Sequence, residues 1–133
     1  MREILFRGKR QDNGEWVYGV PTKDDFNATF IVQGIFECDE YRCSGADCFG
    51  VDEITIGQYT GLTANGKKIF EGDIVNFPND KIEMVVCFDD YSRFMLKTAN
   101  EAYYLLAHLN DYCEVIGNIH DNPELLKSEV QGE

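Results

Sequence analysis

Apolar and polar residues alternate over short stretches of this chain, and small clusters of Gly, Asn and Asp interrupt the alternation. A period of two predicts β-strands joined by tight turns, since neighbouring side chains on a strand point to opposite faces. Ile4 and Phe6 alternate with Glu3, Leu5 and Arg7 and predict a strand over residues 3–7. Asp12-Asn13-Gly14 predicts a hairpin turn, and residues 15–19 return as the second strand, with Trp16 and Tyr18 on one face. Residues 21–28 are polar and turn-like. Residues 29–36 read as a strand in which Gly34 marks a bulge or kink. Residues 38–50 mix three cysteines with glycines and acids, and the pattern predicts an irregular loop. Strand character returns over residues 51–59.

The stretch 59–75, YTGLTANGKKIFEGDIV, is the densest in signals. Asn65-Gly66 is a strong short-range turn signal, Gly72-Asp73 a second turn, and Ile74-Val75 opens a new strand. Strands are predicted over 73–77, 82–88, 93–98 and 112–120, with turns at Pro78-Asn79-Asp80 and at residues 89–92. Residues 100–110 carry two conflicting signals. Ala102, Leu105, Leu106 and Leu109 are spaced as on a helix, while Tyr103 and Tyr104 favour a strand. Asn122-Pro123-Glu124 begins a short terminal helix, with Asn as cap and Pro at its first position.

The architecture expected is mainly β. Residues 1–57 form an N-terminal antiparallel β-layer with an irregular cysteine-containing loop. Residues 58–133 form a small SH3-like β-barrel with a short C-terminal helical tail, since about five strands fall between Gln58 and His120.

The 133 residues are 44% apolar, enough for a packed core. The net charge of −12 opposes non-specific binding to nucleic acid or to anionic membranes. The charge is uneven: the first ten residues hold Arg2, Arg7, Lys9 and Arg10 against Glu3 alone, a local +3. These four cations are the candidate partner contacts, either a solvated basic edge or a surface for an acidic partner such as a neighbouring subunit. The apolar run at Ile4–Phe6 is too short for a signal peptide, and no window approaches a membrane span. The expectation is a cytoplasmic protein whose five cysteines are reduced.

Candidate chemistry is sparse. Cys38, Cys43 and Cys48 are spaced by five with acids nearby, at the edge of metal-ligand spacing and with no His close in sequence. The expectation is no metal and no cofactor. Cys87 reads as a small core residue. The acidic doublets Asp24-Asp25, Asp39-Glu40, Asp52-Glu53 and Asp89-Asp90 read as turn formers and strand ends, because adjacent residues on a strand cannot converge on one ligand. Neither a phosphate-binding loop nor a Gly-x-Ser-x-Gly elbow occurs in the sequence. Aromatic and basic residues interleave weakly at Tyr91-Ser92-Arg93-Phe94, and at Phe6-Arg7 with Trp16 and Tyr18.

Three blocks carry a family resemblance. They are Arg2-Glu3-Ile4 with Phe6-Arg7; Gln58-Tyr59-Thr60-Gly61-Leu62 with Asn65-Gly66-Lys67, Ile69-Phe70 and Glu71-Gly72-Asp73-Ile74-Val75; and Glu114-Val115-Ile116-Gly117-Asn118-Ile119 with Asn122-Pro123-Glu124-Leu125-Leu126. In this order they resemble the YopX family of phage and prophage proteins. The resemblance implies a bacterial host cell, a mainly β fold and no catalytic residues. The functional expectation is a non-enzymatic accessory protein, a β-rich interaction module that self-associates and meets host or phage proteins. The alternative is a nucleic-acid-related role, either weak DNA or RNA binding by the basic hairpin or acidic mimicry of DNA against a host DNA-binding protein.

Overall fold

The computed structural model describes residues 3–79 and 82–126, with the side chains of residues 36–38, 43 and 44 excepted. Among the described residues the strands are β1 (Phe6–Arg10), β2 (Trp16–Lys23), β3 (Thr29–Cys38), β4 (Cys43–Ala64), β5 (Lys67–Phe70), β6 (Asp73–Asn76), β7 (Glu83–Phe88), β8 (Phe94–Thr98), β9 (Tyr103–Leu105) and β10 (Glu114–Asn118). A single-turn helix α1 (Leu106–Leu109) and a 3-10 turn (Asn110–Tyr112) lie between β9 and β10. The chain is mainly β, with two five-stranded antiparallel sheets in the orders β1-β2-β3-β4-β5 and β10-β6-β7-β8-β9. It divides into two compact units, Met1–Gln58 and Tyr59–Glu133.

In the first unit β1 pairs with β2 (Lys9↔Trp16) and also with β4 (Arg10↔Val51), so the ladders β1-β2-β3-β4 close on β1. Strand β2 changes partner midway: residues 16–19 face β1 and residues 20–23 face β3. Val17, Ile31 and Val51 are the buried centre, with Phe6, Phe49 and Ile56 packed around them. Burying each such side chain contributes about 1.5–3 kcal/mol. Strand β4 departs from β1 between Asp52 and Gly57, where the register shifts. Buried Thr55 holds this bulge: its Oγ1 accepts from the Lys9 N–H at 2.9 Å and donates to the Asp52 carbonyl at 2.6 Å.

Several expectations for this half need correction. The first strand is Phe6–Arg10, and residues 3–5 lie outside it, because both ladders of β1 begin at Phe6. The second strand continues to Lys23 through Pro21, which faces Ile31. The largest correction concerns residues 38–50. They are not a loop: β3 and β4 pair from Phe30↔Gly50 to Cys38↔Cys43, and only residues 39–42 turn. A sequence as irregular as CSGADCFG becomes a strand because β3 supplies the partner ladder, which outweighs local propensity. The bulge at Gly34 is present as a register shift between Val32 and Gly34.

In the second unit the end of β4 and β5 form a hairpin at the predicted turn, with Asn65 at φ 51° and Gly66 at φ 79°. Two successive positive φ values define the turn that matches strand twist. Ala64, Ile69, Val75, Met84, Val86, Leu96, Leu106 and Cys113 form one buried cluster. Residues 100–110 realise both of their signals in succession, β9 and then α1. A single turn of helix is not stable alone; fully buried Leu106 anchors it. Cys113, rather than Cys87, is the cysteine in this core, while Cys87 is half-buried. Among the described residues the terminal helix covers 124–126. The Asn122 Oδ1 accepts from the Asn118 N–H at 3.2 Å.

Candidate contact surface

The basic hairpin is engaged internally. Register places Arg7 and Lys9 opposite Tyr18 and Trp16, on one face. The Arg7 guanidinium lies 4.8 Å from the Trp16 ring centre and the residue is only 7% exposed. The Lys9 ammonium sits 6.0 Å from the same ring. Arg10 lies over Phe49 at 4.5 Å and holds Asp12 through two hydrogen bonds, Nε–Oδ1 at 2.8 Å and Nη2–Oδ2 at 2.6 Å. That pairing raises the Arg10 pKa and lowers that of Asp12. Cation–π and ion-pair contacts of this kind fix side chains more than they add stability. Arg2 lies outside the described residues.

The acidic doublets share one construction that the sequence pattern only half shows. In each, Oδ1 of the first Asp accepts the N–H of the residue two positions on: Asp24 from Phe26 at 2.9 Å, Asp39 from Tyr41 at 2.8 Å, Asp52 from Ile54 at 3.3 Å and Asp89 from Tyr91 at 3.0 Å. The residue so held is large and apolar every time, and it stands almost fully in solvent: Phe26 91%, Tyr41 87%, Ile54 77% and Tyr91 80% exposed. The turns at 24–28 and 89–93 match bond for bond. In both, the first Asp also accepts through Oδ1 from the residue four on, and its backbone N–H donates to that residue's carbonyl. In both, the fourth residue has positive φ, Asn27 at 69° and Ser92 at 62°. The doublets are thus turn formers, as expected for three of them, while Asp52-Glu53 opens the β4 bulge. The third residue of each is what sequence reading missed; the signal was a large apolar residue following two acids four times.

Asp39 and Asp89 are held below the usual carboxylate range. For Asp39 the cause is the Tyr41 N–H and then the Arg42 N–H. For Asp89 burial pushes upward, but the Arg93 side chain and the N–H groups of Arg93 and Tyr91 outweigh it. A carboxylate depressed on folding stabilises above its unfolded pKa of about 3.9, and that contribution is lost as pH falls through the folded value. NMR titration of these carboxyls is expected to give midpoints below that reference, with both turns loosening only in acid below about pH 4. A midpoint at or above the reference for either would contradict the bonding described.

The three cysteines of residues 38–50 are not all brought to one place. Cys38 and Cys43 are backbone partners on β3 and β4, but Cys48 faces Val32, five residues further along β4. At about 3.3 Å per residue that is roughly 16 Å away, too far to share one metal ion. The Cys38 and Cys43 side chains lie outside the described ones. Among the described residues no three or more His, Cys, Asp or Glu are placed to hold a metal. Burial pushes the thiols of Cys87 and Cys113 up, so neither is a ready thiolate.

Two shallow depressions accompany the apolar tips. One, of about 430 Å³, is lined by Pro21, Thr22, Lys23, Thr29, Glu53 and Ile56 in the first unit. The other, of about 570 Å³, lies beside Tyr91 in the second, with Phe88, Met95, Lys97 and Tyr103 in its wall. Arg93 and Lys97 stand over Tyr91 and Tyr103 at 5.2 and 5.9 Å. Among the described residues no helix is long and apolar enough to cross a membrane.

The polar groups of the most distinctive sequence blocks turn inward. Gly72, at φ 92°, donates to the Val86 carbonyl at 2.8 Å and accepts from the Ile119 N–H at 2.9 Å. Asp73, facing Asn118 across the β6–β10 ladder, is 2% exposed and accepts the Phe70 N–H at 2.8 Å. Thr60 donates to the Ile69 carbonyl at 2.9 Å beside a bulge at Gly61, φ 84°. Asn118 Oδ1 accepts from the His120 and Asp121 N–H groups. A Cβ on Gly117 would stand 2.5 Å from Asn122 Oδ1, so the tight 118–122 turn requires glycine there. These blocks supply strands to both antiparallel sheets, the frame of a mainly β protein. The family described as YopX protein matches residues 5–127, and the chain belongs to that family. No curated protein matches it.

Proposed function

We propose that this chain is a non-enzymatic accessory protein of a phage or prophage, working in the cytoplasm of its bacterial host as a β-rich interaction module that self-associates and meets protein partners. One observation carries the reading: four large apolar residues, each held nearly fully exposed by an aspartate two positions before it. The bonds fix the backbone of these exposed residues, which lowers the entropy lost when a partner covers them. The first aspartate of each doublet accepts a backbone N–H and serves the turn or bulge it stands in. The second unit is best described as an SH3-like barrel, in support of which its strand order is β10-β6-β7-β8-β9 with a 3-10 turn before the last strand.

Self-association through the tips is tested by light scattering from low to high micromolar. The mass of the parent is expected to rise with concentration, and that of a variant with Phe26, Tyr41, Ile54 and Tyr91 all replaced by Ser to stay monomeric. A parent that remains strictly monomeric would overturn the self-association.

A further inference from the structure

The four tips are not equivalent. Two of them converge on one end of the first unit. Phe26 stands on the turn that closes the Lys23↔Thr29 pair, and Ile54 follows Glu53 on the β4 bulge. Lys23 and Glu53 join these segments through an ion pair of 2.8 Å. Lys23, Thr29 and Glu53 also line the depression of about 430 Å³, whose floor is otherwise Pro21, Thr22 and Ile56. An apolar hollow is therefore bordered by two segments that each carry an exposed apolar side chain. Isolated exposed apolar residues need no explanation, but a mostly apolar hollow between two segments that each carry one has the form of a docking site.

Charge selects the occupant. Asp24, Asp25 and Glu53 against Lys23 leave this end at −2, within a chain of net charge −12. Asp24 already accepts two N–H groups of its own turn, whereas Asp25 is exposed beside Phe26. An anionic ligand, nucleic acid included, would be repelled here, and a neutral apolar surface would desolvate carboxylates without compensation. We propose that this end of the first unit is the docking site for a basic protein segment. One apolar side chain of the partner enters the hollow between the turn and the bulge, and arginine or lysine side chains meet Asp25 and Glu53. The assignment rests on the interaction-module reading and gives that module a place and a partner chemistry. The chain's own Arg7 and Arg10 are engaged with Trp16 and Asp12 within the hairpin.

The test uses the isotope-labelled full chain, NMR, and a synthetic peptide of alternating arginine and leucine, with a glutamate-for-arginine peptide as its counterpart. Amide shifts are expected at residues 22–28 and 53–56 with the basic peptide and to be absent with the acidic one. Replacing Phe26 and Ile54 together by Ala is expected to weaken binding about tenfold, the scale of losing an anchor residue. Both side chains are exposed, so the fold should survive, and the charge variant Asp25→Lys with Glu53→Lys gives a second, independent weakening. Tyr112→Ala, at an exposed tyrosine of the second unit, should leave the affinity unchanged. Shifts confined to the Tyr41 or Tyr91 tips would overturn this site and leave the module reading standing. No shift at any tip at millimolar peptide would overturn both.

Discussion

Gly19→Ala is expected to destabilise the first unit by about 3 kcal/mol or more, at the upper end of what forced overpacking costs. A Cβ at position 19 would stand 2.0 Å from the Val32 carbonyl oxygen and 2.7 Å from its carbon. Both atoms are backbone, so no rotamer change relieves the collision. The reason lies in the topology: Gly19 is the last residue of β2 facing β1, and Val20 is the first facing β3. The strand bends there, and its main chain passes over β3 close to the bulge between Val32 and Gly34. Glycine at such a corner marks a close backbone approach. Gly34→Ala is the control, because a Cβ there meets nothing within 4 Å; its cost should stay within about 0.5 kcal/mol. The single tryptophan, Trp16, lies on β2 and reports this unit directly. Urea unfolding followed by its fluorescence should move to much lower denaturant for Gly19→Ala alone. Equal midpoints for the two variants would refute the close approach.

That corner was not legible in the sequence, whereas the hairpins were. Asn13-Gly14 and Asn65-Gly66 announce turns because their requirement, positive φ, is local and the residue types that tolerate it are few. The bulge at Gly34 was legible because a glycine inside a strand pattern marks one. Residues 38–50 were not, since nothing within them alternates; their conformation is imposed by β3, which is reached only once the 39–42 turn is made. Residues 3–5 erred in the other direction, having a strand-like pattern but no place in either ladder of β1. The candidate cations show why charge in a sequence does not locate a contact: Arg7 is sequestered against an aromatic nine residues away that the hairpin folds back onto it. In the acidic doublets the turn-forming Asp was legible, and its consequence for the residue two positions on was not. Where Phe26, Tyr41, Ile54 and Tyr91 end up depends on a side-chain-to-backbone bond that no hydropathy period encodes.

Asp73→Ala is expected to cost the second unit about 2–3 kcal/mol, the range for leaving a buried donor without its charged acceptor. Asp73 is 2% exposed, and its Oδ2 takes the Phe70 N–H at the end of β5. The bond closes the Glu71-Gly72 turn, and Gly72 is tied on one side to Val86 in β7 and on the other to Ile119 beyond β10. Loss of the carboxylate therefore loosens the junction of three strands rather than one loop. Asp73→Asn keeps an oxygen that can accept the same N–H and should retain a substantial part of the stability. This pair of variants also separates scaffold from function in the family's central block. If Glu71-Gly72-Asp73 is scaffold, amide protection at Phe70 and Ile119 falls in Asp73→Ala, is largely kept in Asp73→Asn, and peptide binding by the first unit is unaffected in the folded fraction of both. An Asp73→Ala protein with undiminished protection would show that the buried carboxylate is not a structural acceptor, and the block would then have to be reconsidered as a site.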